Sequence, residues 1–271
     1  MRRVRLYQVD ALVLRRSDFG EADRLLTLLT PQAGKVRAIA KGARRPTSRH
    51  SGNLELFSHA RLLLARGREL EIVSQSHLLQ PFRRVREHLE TASHAYYLTE
   101  VTDAFLEPSD DATAVFTLLL GALTAMEEGT AEPSLLAAHY LLLLLDALGF
   151  RPELFVCLGC RSELRPVRNF LSIPQGGVFC PACGSRQPGA RLIEPDVLKV
   201  LRNLLRVRAP GGLVVSVPPP VLGEVERVVR LLVEHHLDRR LRSPEFIGRL
   251  RELEPAIGPN AGVEARSSGS V

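Results

Sequence analysis

Tryptophan is absent and aromatic residues make up only 5% of the 271 positions. Base stacking, where it occurs, therefore rests on a few rings, of which Tyr7, Phe19 and Phe57 are the candidates. Lysine is also scarce: three of 36 basic residues are Lys (Lys35, Lys41, Lys199). The arginine bias suits phosphate recognition, and it equally suits an origin in genomic base composition. No apolar run reaches the roughly 18 residues that cross a bilayer. The richest, "YLLLLLDALGF" (Tyr140–Phe150), is cut by Asp146 and reads as a buried core helix. The N-terminus "MRRVRLYQVDALVLRR" has no continuous apolar segment and no small-residue cleavage site, so the expected location is the cytoplasm.

Catalytic signatures are missing too. The sequence contains no G-x-x-x-x-G-K-[ST], no G-x-S-x-G and no H-E-x-x-H. His235 and His236 are adjacent, so on a helix they point about 100° apart and cannot face one metal; they read as structural or surface residues. Glu21 and Asp23 read as ion-pair partners of Arg24 or Arg37 rather than as metal ligands. The chain is expected not to be an enzyme.

What is present is globular. Hydrophobic residues make up 45% of the chain, mean hydropathy is +0.02, and the length suits about two domains. Net charge is +6, and it is unevenly placed. Residues 1–50 hold 12 Lys and Arg against 4 Asp and Glu, whereas residues 81–150 hold 3 against 11. Residues 151–271 return to 18 against 12. An acidic partner fits the basic head. The acidic middle disfavours such a partner and reads as scaffold or protein-contact surface.

The first 80 residues alternate polar and apolar positions in five runs: "QVDALVLRR" (Gln8–Arg16), "ADRLLTLLT" (Ala22–Thr30), "KVRAIAK" (Lys35–Lys41), "LELFSHARLLLA" (Leu54–Ala65) and "ELEIVSQSHLL" (Glu69–Leu79). Five short strands with turns between them predict a small closed barrel, either of the five-stranded OB type or SH3-like. From Phe82 the period becomes helical: one helix over 82–107, two more over 112–129 and 132–150, then 194–207, 218–241 and a last short helix opening on Ser243-Pro244-Glu245. The fold class is α+β. A barrel occupies 1–80, a helical domain 81–152 and 191–254, an inserted cysteine module 153–190, and a disordered tail 255–271.

The module carries "CLGC" (Cys157, Cys160) and "CPAC" (Cys180, Cys183), two pairs 19 residues apart. Two such turns aim four sulfurs at one ion, which predicts a tetrahedral zinc site. All four positions are thiolate, so no coordination position is open for an activated water and the zinc is structural. A thioredoxin-like redox reading is disfavoured because neither pair is expected to open a helix after a strand in a βαβ unit.

The stretch "KVRAIAKGARRPTSRH" (Lys35–His50) holds no carboxylate. On a strand Lys35, Arg37 and Lys41 share a face; Gly42 allows a turn; and Arg44, Arg45 and Arg49, with Thr47 and Ser48, supply donors for phosphate oxygens. An ordinary solvated basic loop is the alternative. Such a site holds backbone rather than reading sequence, and its affinity depends strongly on salt. A sequence-specific nucleic-acid regulator, with a barrel and a zinc ribbon as two readers, remains the rival.

Four segments carry a family resemblance: "Y-x-x-x-A-L-V-L" from Tyr7, "GEADRLLTLLT" from Gly20, "GKVRAIAKGARRPTSR" from Gly34 and "LELF" from Leu54. They resemble the N-terminal domain of the RecO family of bacterial recombination mediators. "LLLDALGFRPELFVCLGC" (Leu143–Cys160) and "LLVEHHLDRRLRSPEFI" (Leu231–Ile247) resemble that family's later segments. The resemblance implies an OB-fold domain followed by a helical domain with a zinc module. It implies binding of single- and double-stranded DNA, annealing of complementary strands, and loading of RecA onto DNA coated by single-strand-binding protein. RecR is the implied partner, and RecF, RecA and the single-strand-binding protein belong to the implied set, with a nucleoid-associated location. Carried over by motif position, the DNA contacts are Lys35, Arg37, Lys41, Arg44, Arg45 and Arg49. Arg15, Arg16 and Arg24 are weaker candidates because structure competes for their side chains.

Overall fold

The computed structural model describes residues 6–48, 50, 52–213, 216–237 and 241–253. The expected tail over 255–271 and the contact expected at Arg49 lie outside these residues. Five strands come first: β1 (Leu6–Phe19), β2 (Asp23–Thr30), β3 (Gly34–Ala40), β4 (His59–Ala65) and β5 (Glu71–Gln80). They close in the order β1-β2-β3-β5-β4, with β1 antiparallel to both β2 and β4. The parallel contact of β3 with β5 skips β4 and makes a Greek key rather than a meander. That is the OB-type barrel.

Alternation dictates which side faces in. On β3, Val36, Ala38 and Ala40 are buried while Lys35, Arg37 and Ile39 point outward. The interior holds Val9, Val13, Leu26, Leu28, Leu62, Leu64 and Val73 among others, interleaved with the small Ala11, Ala38, Ala40 and Ala60. The segment 54–58 is not the start of β4, as the alternation suggested. Phe57 adopts φ +66°, outside the extended region a strand requires, and turns the chain with Leu56 and Phe57 both buried. Its N–H and the Ser58 carbonyl pair with the Val13 backbone at 2.9 and 3.1 Å.

The outer face of the barrel is not uniformly wet. Leu12, Leu14, Leu29, Leu56 and Phe57 belong to the same apolar cluster as the helices. Gly34 turns with φ +63°, and a Cβ there would lie 2.3 Å from the Asp110 carbonyl oxygen, so the β2–β3 turn docks tightly on the segment after the second helix.

The predicted helix over 82–107 is two: α1 (Arg83–Glu87) and α2 (Leu89–Phe105), broken at His88 (φ −100°, ψ 117°). The break is tertiary in origin, because the Glu127 carboxylate, on the next helix, accepts the N–H groups of Arg84 and Val85 and fixes α1 in its own direction. Helices α3 (Thr113–Glu128) and α4 (Pro133–Ala147) follow. Every residue from Ser134 to Leu145 is buried, so α4 is the central helix. Its Tyr140 hydroxyl meets the Thr102 hydroxyl at 2.6 Å, and its His139 Nε2 donates to the Val207 carbonyl at 2.7 Å.

The cysteine module is a three-stranded sheet in the order β7-β6-β8, from β6 (Asn169–Ser172), β7 (Gly177–Phe179) and β8 (Arg191–Ile193), with a one-turn helix α5 (Pro181–Gly184). Helices α6 (Pro195–Arg206), α7 (Pro219–His235) and α8 (Ser243–Leu253) complete the fold. Arg202 of α6 ties the module down: its guanidinium donates to the carbonyls of Leu154 (2.7 Å) and Leu164 (3.3 Å). His236 stacks on Phe150 at 4.3 Å, which is the structural role expected of it. Among the described residues no helix is long and apolar enough to cross a membrane.

Candidate nucleic-acid interface and metal centre

Strand register sorts the outer face of β1–β2–β3 into cross-strand rows. Leu12, Leu29 and Lys35 form the first, and it lies against the helices. A bulge between Val13 and Arg15 shifts the register, so the next row is Arg15, Thr27 and Arg37. Ser17, Leu25 and Ile39 follow, and Phe19, half exposed, closes β1. The rows from Arg15 onward are open. Guanidinium groups flank hydroxyls and half-buried apolar side chains there, in a cleft of about 320 Å³ whose far wall is Asp103 and Pro108.

The basic loop after β3 is built rather than loose. Asp23 Oδ1 accepts the Gly42 N–H at 2.8 Å, and the Arg44 N–H donates to the Ala22 carbonyl at 2.9 Å. Farther on, His50 Nδ1 meets the Ser76 hydroxyl at 2.9 Å and the Asn53 amide donates to the Ser76 carbonyl at 3.1 Å. The loop is thus anchored to β2 and β5 at both ends. Asp23 serves a backbone N–H instead of the expected guanidinium, because a loop turning at Gly42 (φ +65°) leaves that donor unpaired.

The predicted contacts fall into two groups. Arg37, Lys41 and Arg45 are exposed at this end of the barrel, and Arg44 is exposed with one ion pair to Asp18 at 3.4 Å. Lys35 shares their face but not their freedom: its ammonium, 16% exposed, reaches the Asp103 carbonyl at 2.8 Å and Oδ1 at 3.3 Å. Arg16 and Arg24 both pair with Glu55 and brace the loop, as expected of them. Arg15 is 69% exposed, pairs with Asp103 at 3.3 Å, and stands in the open row. Phe57 is no stacking platform, being 1% exposed. The row Arg15–Thr27–Arg37 was hidden in the sequence because the bulge moves Arg15 out of the odd–even phase of its strand.

The four cysteines converge. Cys157, Cys160, Cys180 and Cys183 place their sulfurs within 4.8 Å of one another, the only such cluster of possible metal ligands among the described residues. Cys160 and Cys180 sulfurs are 3.8 Å apart, which matches the edge of a tetrahedron with metal–sulfur bonds of about 2.3 Å. The Cys180 N–H points at the Cys157 sulfur at 3.2 Å. Gly159 is packed under Cys183, where a Cβ would come within 3.0 Å of that sulfur. The Ser162 hydroxyl pushes the Cys160 thiol down to about 6. Hydrogen bonding with Cys180 and Cys160 pushes the Cys183 thiol up to about 12. Four sulfurs this close ionise together only around a cation, so the donor set fits a metal ion. Cys180 opens a one-turn helix after a strand. Both pairs share one cluster, so the four cysteines form one ligand set rather than two redox dithiols.

Barrel, helices and tetrathiol cluster define an OB-barrel protein with an appended metal-binding module. Family models sharpen that class: "Recombination protein O N terminal" matches residues 1–101 and "Recombination protein O C terminal" matches residues 86–245. The chain belongs to the RecO family. The DNA repair protein RecO of Roseiflexus sp. (strain RS-1) is 40% identical over 259 residues, covering 95% of this chain and 90% of the relative. That of Symbiobacterium thermophilum is 36% identical over 248 residues (91% and 98%), and that of Desulforamulus reducens 30% over 257 (95% and 100%).

Proposed function

We propose that the chain is a non-enzymatic DNA repair and recombination mediator that holds DNA by its phosphates on the open barrel face. It binds single and double strands without sequence preference, anneals complementary strands and, with RecR, helps load RecA onto DNA coated by single-strand-binding protein. RecF is the further member of that set, and the place of action is the cytoplasmic nucleoid. The observation that carries this reading is the open row Arg15–Thr27–Arg37 leading to Arg44 and Arg45. Guanidinium forks there suit phosphate oxygens. A strand held by its backbone keeps its pairing edges available to a complement, which is what annealing needs. The metal is Zn²⁺, held by Cys157, Cys160, Cys180 and Cys183 with no position left for a substrate. Residues 1–80 form the DNA-gripping unit, 81–152 and 194–254 the helical scaffold, and 153–190 the zinc module, extended by β8 (Arg191–Ile193), which pairs with β6.

The test compares wild type with Arg37→Glu/Arg44→Glu/Arg45→Glu in annealing of arbitrary complementary oligonucleotides. The variant is expected to lose at least about tenfold in single-strand affinity, to flatten the salt dependence by about two units of slope, and to stop accelerating annealing. A protein that gains affinity at one sequence and never accelerates annealing is the regulator instead.

A further inference from the structure

We propose that the cleft between the barrel and α2 is a nucleotide subsite, in which one base of bound single-stranded DNA leaves the stack and lies on Tyr96. The inference rests on the barrel face being the DNA grip. The cleft has a volume of about 510 Å³, within the range of small-molecule sites, about 300–1,000 Å³. It shares Arg15, Arg16 and Asp103 with the cleft on the barrel face, so a strand crossing that face continues directly into it.

Tyr96 is 53% exposed in the middle of α2, whereas its neighbour Tyr97 is buried. Its ring stands edge-on to the buried Phe57 ring, with centroids 5.1 Å apart at 77°. Phe57 therefore fixes the ring while the rest of it faces the cleft. Such a held, exposed aromatic face is what base stacking uses. Buried Leu14 and Leu56 complete the apolar wall, and Arg15, Arg16 and Arg242 bring guanidinium groups to the rim.

The acids in the lining are engaged already. Glu100 accepts the backbone N–H groups of Arg242 and Ser243, both at 2.9 Å, and Asp103 pairs with Arg15 and Lys35. Asp103 is thus offset by two cations, and the Glu100 carboxylate is turned to the backbone N–H groups that open α8. A paired base cannot reach a ring set back in a cleft without being unstacked, so the subsite is selective for single strands.

Because the chain has no tryptophan, its emission comes from four tyrosines, and of these Tyr97 and Tyr140 are buried. Binding of a thymidine oligonucleotide to wild type is expected to quench this emission, and both Tyr96→Phe and Tyr96→Leu, which lack that fluorophore, lose most of the quenching. Affinity separates the two: Tyr96→Leu, which keeps an apolar contact on Phe57, binds the oligonucleotide about tenfold more weakly with an unchanged salt slope and unchanged duplex affinity, and Tyr96→Phe binds as tightly as wild type. Equal loss of single-strand and duplex binding, full retention of both, or a Tyr96→Phe as weak as Tyr96→Leu would each overturn the proposal. If Tyr96→Leu does not fold, wild type is irradiated with an oligonucleotide carrying 5-iododeoxyuridine. An adduct on Tyr96 supports the subsite, and adducts confined to the barrel loops contradict it. Failure of the parent reading looks different: Arg37→Glu/Arg44→Glu/Arg45→Glu then binds both DNA forms as wild type does, whatever Tyr96 does.

Discussion

The barrel and the cysteine module hold themselves together by different means. The barrel closes its own hydrogen-bond ladder around an interior of buried Val, Leu and Ala side chains. The module has strands of only four, three and three residues, a sheet too small to stand alone in water. Its order depends on the sulfur cluster, on the anchoring by Arg202 and on packing of Leu154, Val178 and Phe179 into the helical core. On the function proposed above, DNA is held by the barrel, whose strands close on themselves, and dependence on an ion is confined to the module. The two regions are therefore separable by experiment.

The largest separation comes from the metal. Cys157 is fully buried, and structural zinc contributes on the order of 10 kcal/mol to small domains. Cys157→Ser is expected to lose the bound metal, measured as about one equivalent per chain in wild type, and to open residues 153–190 to proteolysis. The barrel amides stay protected from hydrogen exchange, and oligonucleotide affinity changes less than about twofold. Global unfolding of the variant would instead make the module part of a single cooperative unit.

The complementary cut is in the barrel. Leu62 is fully buried in its interior, and Leu62→Ala leaves a cavity at a cost of about 2–5 kcal/mol. The midpoint in urea should fall accordingly and DNA binding should weaken, while metal content is unchanged.

Acid provides a smaller effect that reaches both the barrel and the helices. Burial lowers the His139 pKa in the helical core, and burial likewise lowers those of His50 and His59 at the barrel. A histidine lowered in this way stays neutral in the fold while the unfolded chain takes up its proton near pH 6.5. Its stabilisation is complete above that pH and declines as the pH falls below it, by at most about 1.4 kcal/mol per pH unit for each group. The melting temperature should drop between pH 7 and pH 5, and His139→Gln should flatten that drop.

Much of this was legible from local pattern. Five alternating runs and two C-x-x-C pairs were enough for a barrel and a tetrathiol cluster, because a two-residue period and a fixed spacing are local properties. The parts that stayed hidden depend on distant partners. Whether the barrel was OB-type turned on the β3–β5 pairing, which brings together residues some 33 apart, such as Ala38 and Glu71. The break at His88 depends on Glu127, the burial of Phe57 on a turn that positions it under Tyr96, and the engagement of Lys35 on Asp103. The bulge after Val13 rearranged the face itself. Residues called from charge were located by sequence, but which of them remain open was decided by tertiary contacts.

One measurement tests most directly whether the barrel face is the DNA grip. Single-strand affinity is followed by fluorescence anisotropy across a salt titration for two charge reversals, Arg37→Glu/Arg44→Glu/Arg45→Glu on the barrel and Arg165→Glu/Arg168→Glu/Arg186→Glu on the cysteine module, whose side chains are also exposed. The barrel variant is expected to lose affinity and salt slope while the module variant keeps both. The reverse pattern, with binding lost from the module variant and kept by the barrel variant, would contradict the account.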